Sequence, residues 1–256
     1  MATVCIYCKR STEGDKTRAH VFPEALGNKK FVLAPGTVCK WCNNYCGHAL
    51  EAALVAHPTI AMAVHFWGVP GKGERVRTKL GTVKRQPSEA GTVSMGFGVA
   101  APKLTFHADG SVEMESKATT PKGFRLDLFR RALHCIGVNV VARLQGADQV
   151  LDARFDAVRA YVRRPKSRTE AWPYAENNPP TKTIPPVVGA NLIETSNGRI
   201  VALQLFQTFY AVDLLNSGDL AAAAEQHGAK VVGCDVTELP EVVIRMRMEP
   251  QPPPAT

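Results

Sequence analysis

Long apolar runs are missing from this chain. Nowhere do about 18 uninterrupted apolar residues occur, the length a membrane-spanning helix needs. The opening residues, MATVCIYCKR, lack the extended apolar region of a secretory signal. These absences argue against a helical membrane protein and lead to the expectation of a cytoplasmic one without a membrane partner. Acidic residues are outnumbered, 23 against 31 Lys and Arg, and the resulting +8 favours polyanionic partners without requiring them. Internal repeats are absent, which removes solenoids and propellers. Aromatics reach only 7%, yet with 45% hydrophobic residues the chain can bury a substantial core.

Seven cysteines stand out against that background. Without an export signal they read as metal thiolates rather than disulfides. Four fall into two C-x-x-C pairs, Cys5 with Cys8 and Cys39 with Cys42. Zn2+ takes four tetrahedral ligands, and two such knuckles on neighbouring turns supply them. Four thiolates leave no open position for water, so this zinc is structural. Cys46 is a competing ligand of poorer geometry, and Cys135 and Cys234 read as core residues.

The spacing of apolar residues predicts a strand over 3–8, two short strands near 20–22 and 31–33, and a helix from Asn43 that Pro58 stops. Residues 60–118 read as successive strands, beginning with TIAMAVHFWGV, and Asp109-Gly110 marks a hairpin. Helices are expected over 122–144 and 147–162, a Pro-rich loop over 173–186 and strands over 187–214. A helix over 219–227, strands near 230–235 and 241–247, and a disordered tail complete the expectation.

Between the two knuckles lies His20-x-x-Pro23-Glu24-x-x-Gly27, and Asn43-Asn44, Gly47 and Leu50-Glu51 follow Cys42. In this combination residues 3–55 resemble the HNH endonucleases, in the subgroup with CxxC…HxxPE…CxxCNN. The resemblance implies an α+β chain: a zinc-stapled ββα-metal module at 1–58, a mixed antiparallel-sheet and helix body at 59–249, and a tail at 250–256. It makes His20 the general base that deprotonates a water for attack on phosphorus. It also implies a catalytic Mg2+ or Mn2+ held by Asn43 or Asn44. Asn44 and His48 are four residues apart, so both rise on one helix face and suit an ion, and Glu51 continues that face.

The implied partner is nucleic acid, double-stranded DNA in the first instance. Lys9, Arg10, Lys16, Arg18, Lys29, Lys30 and Lys40 surround the module and suit phosphate contacts. Two departures qualify the pattern. Ala19 stands where many family members carry an acidic metal ligand, with Asp15, Glu24 or His48 as substitutes. The middle Asn, which orients the base through its backbone, has no clear counterpart, Asn28 being nearest. The readings are therefore a metal-dependent DNA endonuclease or, alternatively, a catalytically degenerate zinc module that binds nucleic acid or a protein partner.

The stretch from Arg130 to Arg163 also resembles the helical segment that follows the module in bacterial members of the subgroup. Arg154, Arg159, Arg163, Arg164 and Lys166 form a basic edge there, which reads first as a solvated face. Trp41 and Tyr45 pack the helix or stack on a base. His57, His65, His107, His134 and His227 read as structural.

Overall fold

The computed structural model describes residues 4–66, 69, 75–78, 81–85, 93–95, 103–109, 111–118, 123–163, 172–177, 188–233 and 242–248. Cys234, Arg164, Lys166 and the expected tail lie outside them. The fold is mixed α+β.

The first knuckle is a tight turn in which Lys9 N donates to Cys5 O and Cys5 N to Arg10 O, both at 2.9 Å, with Lys9 at φ 56°. The two strands expected next shrink to one antiparallel pair, His20 opposite Val32. Pro23 removes a backbone donor, and a 3-10 turn, Glu24–Leu26, leads the chain off at once through Gly27 at φ 85°. A Cβ at Gly27 would also sit 3.1 Å from Val69 Cγ1.

The expected helix forms in three pieces: α1, Lys40–Tyr45; a π-helical stretch, Cys46–Glu51; and α2, Ala52–Val55. Pro58 does not end structure. It opens α3, Pro58–Phe66, at the first helical position, where its missing N–H costs nothing. The strand expected from residue 60 is thereby corrected. Ile60, Ala61, Met62, Ala63 and Val64 are all at most 2% exposed. A helix buried on every side has no amphipathic period to set it apart from a buried strand.

Five strands follow: β1, Arg75–Thr78; β2, Gly81–Arg85; β3, Val93–Met95; β4, Lys103–Phe106; and β5, Val112–Ala118. Helix α4, Leu126–Leu144, comes next. The single helix expected over 147–162 is broken into α5, Ala147–Leu151, a 3-10 turn at Ala153–Phe155, and α6, Asp156–Arg163. Asp152 stops α5 and accepts from Arg154 N at 2.8 Å, restarting the chain. The remainder is β6, Tyr174–Asn177; β7, Val188–Glu194; β8, Arg199–Leu205; β9, Thr208–Asp213; α7, Leu220–Gln226; β10, Lys230–Val232; and β11, Val242–Met248. The loop expected around 174 is thus a strand, lying inside the antiparallel sheet β10-β6-β9-β8-β7 because Tyr174 and Ala175 are fully buried. Strands β1-β2-β3 and β11-β5-β4 form two smaller antiparallel sheets.

Helix α4 positions the candidate site. It packs against the π-helical stretch and α2 on one side and against β7, β8 and β9 on the other. Gly137 permits the close approach to the sheet: a Cβ there would fall 2.9 Å from Leu214 Cδ2 and 3.0 Å from Val212 Cγ2. One hydrophobic core consequently runs from Cys5, Val21 and Leu50 through Phe129 and Leu133 to Val212. Buried Arg131 adds a polar tie, donating to Tyr161 O at 3.0 Å, Val162 O at 2.7 Å and the Tyr45 hydroxyl. A guanidinium there answers the carbonyls at the end of α6.

Candidate metal centre and catalytic cavity

The four knuckle cysteines converge, each offering a sulfur within 4.8 Å of the others. Cys8 Sγ and Cys39 Sγ are 3.7 Å apart. Zinc–sulfur bonds of about 2.3 Å set tetrahedral edges of about 3.8 Å, so the cluster fits a zinc ion. The thiols alone are frustrated: a hydrogen bond with Cys42 pulls the Cys5 pKa down to about 4, while the same contact pushes Cys42 up. A dication relieves that competition by replacing the shared protons. Cys39 also caps α1, its sulfur accepting from Cys42 N at 3.5 Å, and Asp15 accepts from Lys40 N at 3.0 Å. The metal turn and the helix start are one device.

Beside this cluster lies a second, smaller space. Ala19, His20, Asn43, Glu51, Cys135 and Asn139 line a cavity of about 20 Å³. A single water needs about 10–15 Å³ on this measure, so the space admits one or two waters or a small ion. Nδ1 of His20 is buried and has no hydrogen-bond partner among the described residues. The cavity wall is mainly apolar, so this nitrogen, Asn43, Glu51 and Asn139 are the groups of the site able to hold a polar ligand.

The π-helical stretch explains why Asn43 and Glu51 share this cavity. On a regular α-helix, residues eight apart lie about 80° apart around the axis. A π turn holds roughly one more residue, and several in succession bring Glu51 back towards the face of Asn43. Asn44 and His48, the pair expected to hold the catalytic ion, are both exposed and do not line the cavity. Asn43 does. Ala19, 4% exposed, and Glu51, on the helix, both line this cavity. The substitutes expected for an acidic residue at position 19 do not line it: Asp15 accepts from Thr17 N and Lys40 N, Glu24 opens the 3-10 turn, and His48 is exposed.

Two asparagines grip the His20 hairpin. Asn28 Nδ2 donates to Phe22 O at 2.8 Å and to Phe31 O at 3.0 Å, and Phe31 N donates to Asn28 Oδ1 at 2.9 Å. Asn28 therefore ties the two limbs of the hairpin together. Asn139, on α4, donates to His20 O at 3.3 Å and was not anticipated. Its signal in the sequence is a lone amide inside the apolar run Ile136–Val141, since a polar side chain buried in such a run must have partners.

Among the expected phosphate contacts, Lys9, Arg10, Lys16, Arg18, Lys29, Lys30 and Lys40 are all exposed, and Lys9 pairs with Asp156 at 2.8 Å. The basic edge of the body does not survive in the described residues. Arg159 is 2% exposed and donates to Val150 O, Arg163 lies 3.8 Å over the Trp41 ring, and Arg154 pairs with Asp152. Trp41 is 51% exposed and carries Arg163 on its face.

Comparison with known proteins defines the class of this site. Residues 5–59 match the family model for HNH endonuclease, the region that holds the cysteine cluster and His20. No curated protein and no solved structure matches the chain. The match suggests a nuclease-type function for this region, with nucleic acid as the implied substrate. No helix among the described residues is long and apolar enough to cross a membrane.

Proposed function

We propose that the chain is a metal-dependent endonuclease of duplex DNA, with residues 1–58 as its catalytic module. The observation that carries this reading is the shared cavity: His20, with Nδ1 buried and unpartnered among the described residues, lines one water-sized space with Asn43 and Glu51. His20 accepts the proton of the attacking water. The amide and carboxylate oxygens of Asn43 and Glu51 suit a divalent ion such as Mg2+ or Mn2+, with these two as its protein ligands. When bound, that ion supplies charge stabilisation to the phosphate and the leaving oxygen. Asn28 holds the hairpin so that the imidazole keeps its place, and exposed Lys29, Lys30 and Arg18 meet flanking phosphates. The cytoplasm, where thiols stay reduced, suits the four zinc thiolates.

Nicking of supercoiled plasmid tests the reading. Zinc-loaded protein should cut with Mg2+ or Mn2+, and His20→Ala should abolish cutting while keeping the zinc. Equal cleavage by His20→Ala and the native chain would refute it. One observation favours a non-cutting module that binds nucleic acid or a protein partner: Ala19 leaves the hairpin side of the cavity without a carboxylate. That reading expects DNA retention that weakens with salt and no products at any metal concentration.

A further inference from the structure

We propose that Asn139, on helix α4 of the body, is a positioning residue for His20, so that the body completes the catalytic site. This rests on the reading of His20 as the general base.

The argument starts from the backbone of the hairpin. Around the pair His20–Val32 the ladder bonds belong to the neighbours, Val21 N to Phe31 O at 3.0 Å and Leu33 N to Ala19 O at 2.8 Å. His20 thus sits at a non-hydrogen-bonded position, where its own carbonyl points away from the partner limb. Among the described residues no third strand pairs with His20 on that side to donate to the carbonyl. A half-buried carbonyl needs a donor, and the amide of Asn139 is that donor at 3.3 Å.

The amide is itself oriented. Tyr7, between the first two zinc cysteines, places its hydroxyl 2.7 Å from Asn139 Oδ1. The hydroxyl donates to Oδ1 at this shorter distance, with Cys135 O at 3.1 Å as its longer alternative, and with Oδ1 so engaged the NH2 turns towards His20. Asn139 is 6% exposed and Tyr7 also 6%, which leaves water little access to substitute for either. The sequence of contacts is zinc knuckle, Tyr7, Asn139, His20. It ties the base to two elements that are fixed independently, the metal cluster and α4, and the latter is wedged against the sheet at Gly137.

A catalytic group displaced by about 1 Å loses on the order of 100-fold in rate. Asn139→Leu removes both hydrogen bonds while keeping the branching and the number of side-chain heavy atoms. In the zinc-loaded full chain we expect kcat for plasmid nicking to fall about 10- to 100-fold, KM for DNA to stay within about twofold, and the zinc content to be unchanged. Tyr7→Phe keeps Asn139 but frees its amide to rotate, and should lower kcat less, with the double variant no worse than Asn139→Leu alone. The direct readout is nuclear magnetic resonance of the His20 carbonyl carbon and the Val21 amide nitrogen, which report that carbonyl's hydrogen bond whether or not the protein cuts DNA. Movement of both signals in Asn139→Leu, and partial movement in Tyr7→Phe, supports the assignment. Unmoved signals in a folded, zinc-loaded variant overturn it. Should Asn139→Leu fail to fold, Tyr7→Phe decides by the same two signals. If no variant and no native protein cleaves, the nuclease reading fails, and the His20 and Val21 signals still decide the role of Asn139.

Discussion

The hydroxyl of Tyr7 lies 2.7 Å from Oδ1 of Asn139, joining a residue inside the first zinc knuckle to a helix more than a hundred positions later in the chain. A module of this size, stapled by metal, usually depends on the metal for its fold. Here part of its core is contributed by α4, through Leu133, Ile136 and Val140. The zinc, the hairpin and the body helix are consequently linked in stability.

Chelation should therefore unfold more than the knuckles. Removing the ion leaves Cys5 and Cys42 in competition for protons beneath the same core that packs α4. We expect a strong chelator to lower the melting temperature of the whole chain by more than about 10 °C, since structural zinc contributes on the order of 10 kcal/mol. Calorimetry with metal analysis checks this. A metal-free chain melting at the native temperature would show that the cluster contributes nothing to the fold.

The carboxylate at position 51 should be exchangeable with one at position 19, because both line one cavity. Glu51→Gln should weaken Mn2+ binding and cut plasmid nicking by about 100-fold or more, the scale of losing a charged group at a reacting centre. Adding Ala19→Asp to Glu51→Gln should restore Mn2+ affinity by returning an anion to the same space. Mn2+ titration by calorimetry measures both steps, and undiminished nicking by Glu51→Gln would remove Glu51 from the ligand set.

Gly137→Ala should destabilise by about 1–3 kcal/mol, the range for overpacking a filled core. The added methyl meets Leu214 at 2.9 Å and Val212 at 3.0 Å, and α4 must shift to relieve it. Denaturant unfolding gives the free energy. A neutral result would mean that the sheet yields instead of the helix.

Acid should weaken the fold between pH 6.5 and about 3. Burial lowers the pKa of His57 to about 3 and that of His134 to about 4. His57 stacks on Phe129 at 4.2 Å, and His134 packs edge-on to Trp172 at 5.6 Å. Folded-state pKa values depressed below the unfolded value of about 6.5 mean that the unfolded chain takes up protons the folded one refuses. The stabilisation is complete above pH 6.5 and is lost as pH falls through the window, at up to about 1.4 kcal/mol per pH unit for each group. Urea melts from pH 7 to pH 5, with zinc content followed in parallel, test this. A flat profile would contradict the neutral burial of both rings.

Much of the module was legible because its chemistry is local. Two C-x-x-C pairs at this spacing read as a metal site, their four sulfurs do converge, and Cys39 carries its helix start with it, since its sulfur both joins that cluster and caps Lys40–Tyr45. The long helix Leu126–Leu144 and the strands β7, β8 and β9 also followed from periodicity. What failed failed for stated reasons. A helix apolar on all sides, Pro58–Phe66, presents no period, and β6 is four residues long beside prolines.

By itself the sequence determined the ligands of the metal cluster, the hairpin histidine and the mixed α+β character, all consequences of residue type at short spacing. Which residues meet His20 was decided only in three dimensions. Of the expected helix residues, Asn44 and His48 are exposed, while Asn43 and Glu51 line the cavity with His20, and a spacing rule built on regular helices does not register the π-helical stretch between those two. The carbonyl left over by a one-bridge hairpin found its donor on α4, more than a hundred residues away, because only tertiary packing brings that helix within hydrogen-bond reach of the zinc module.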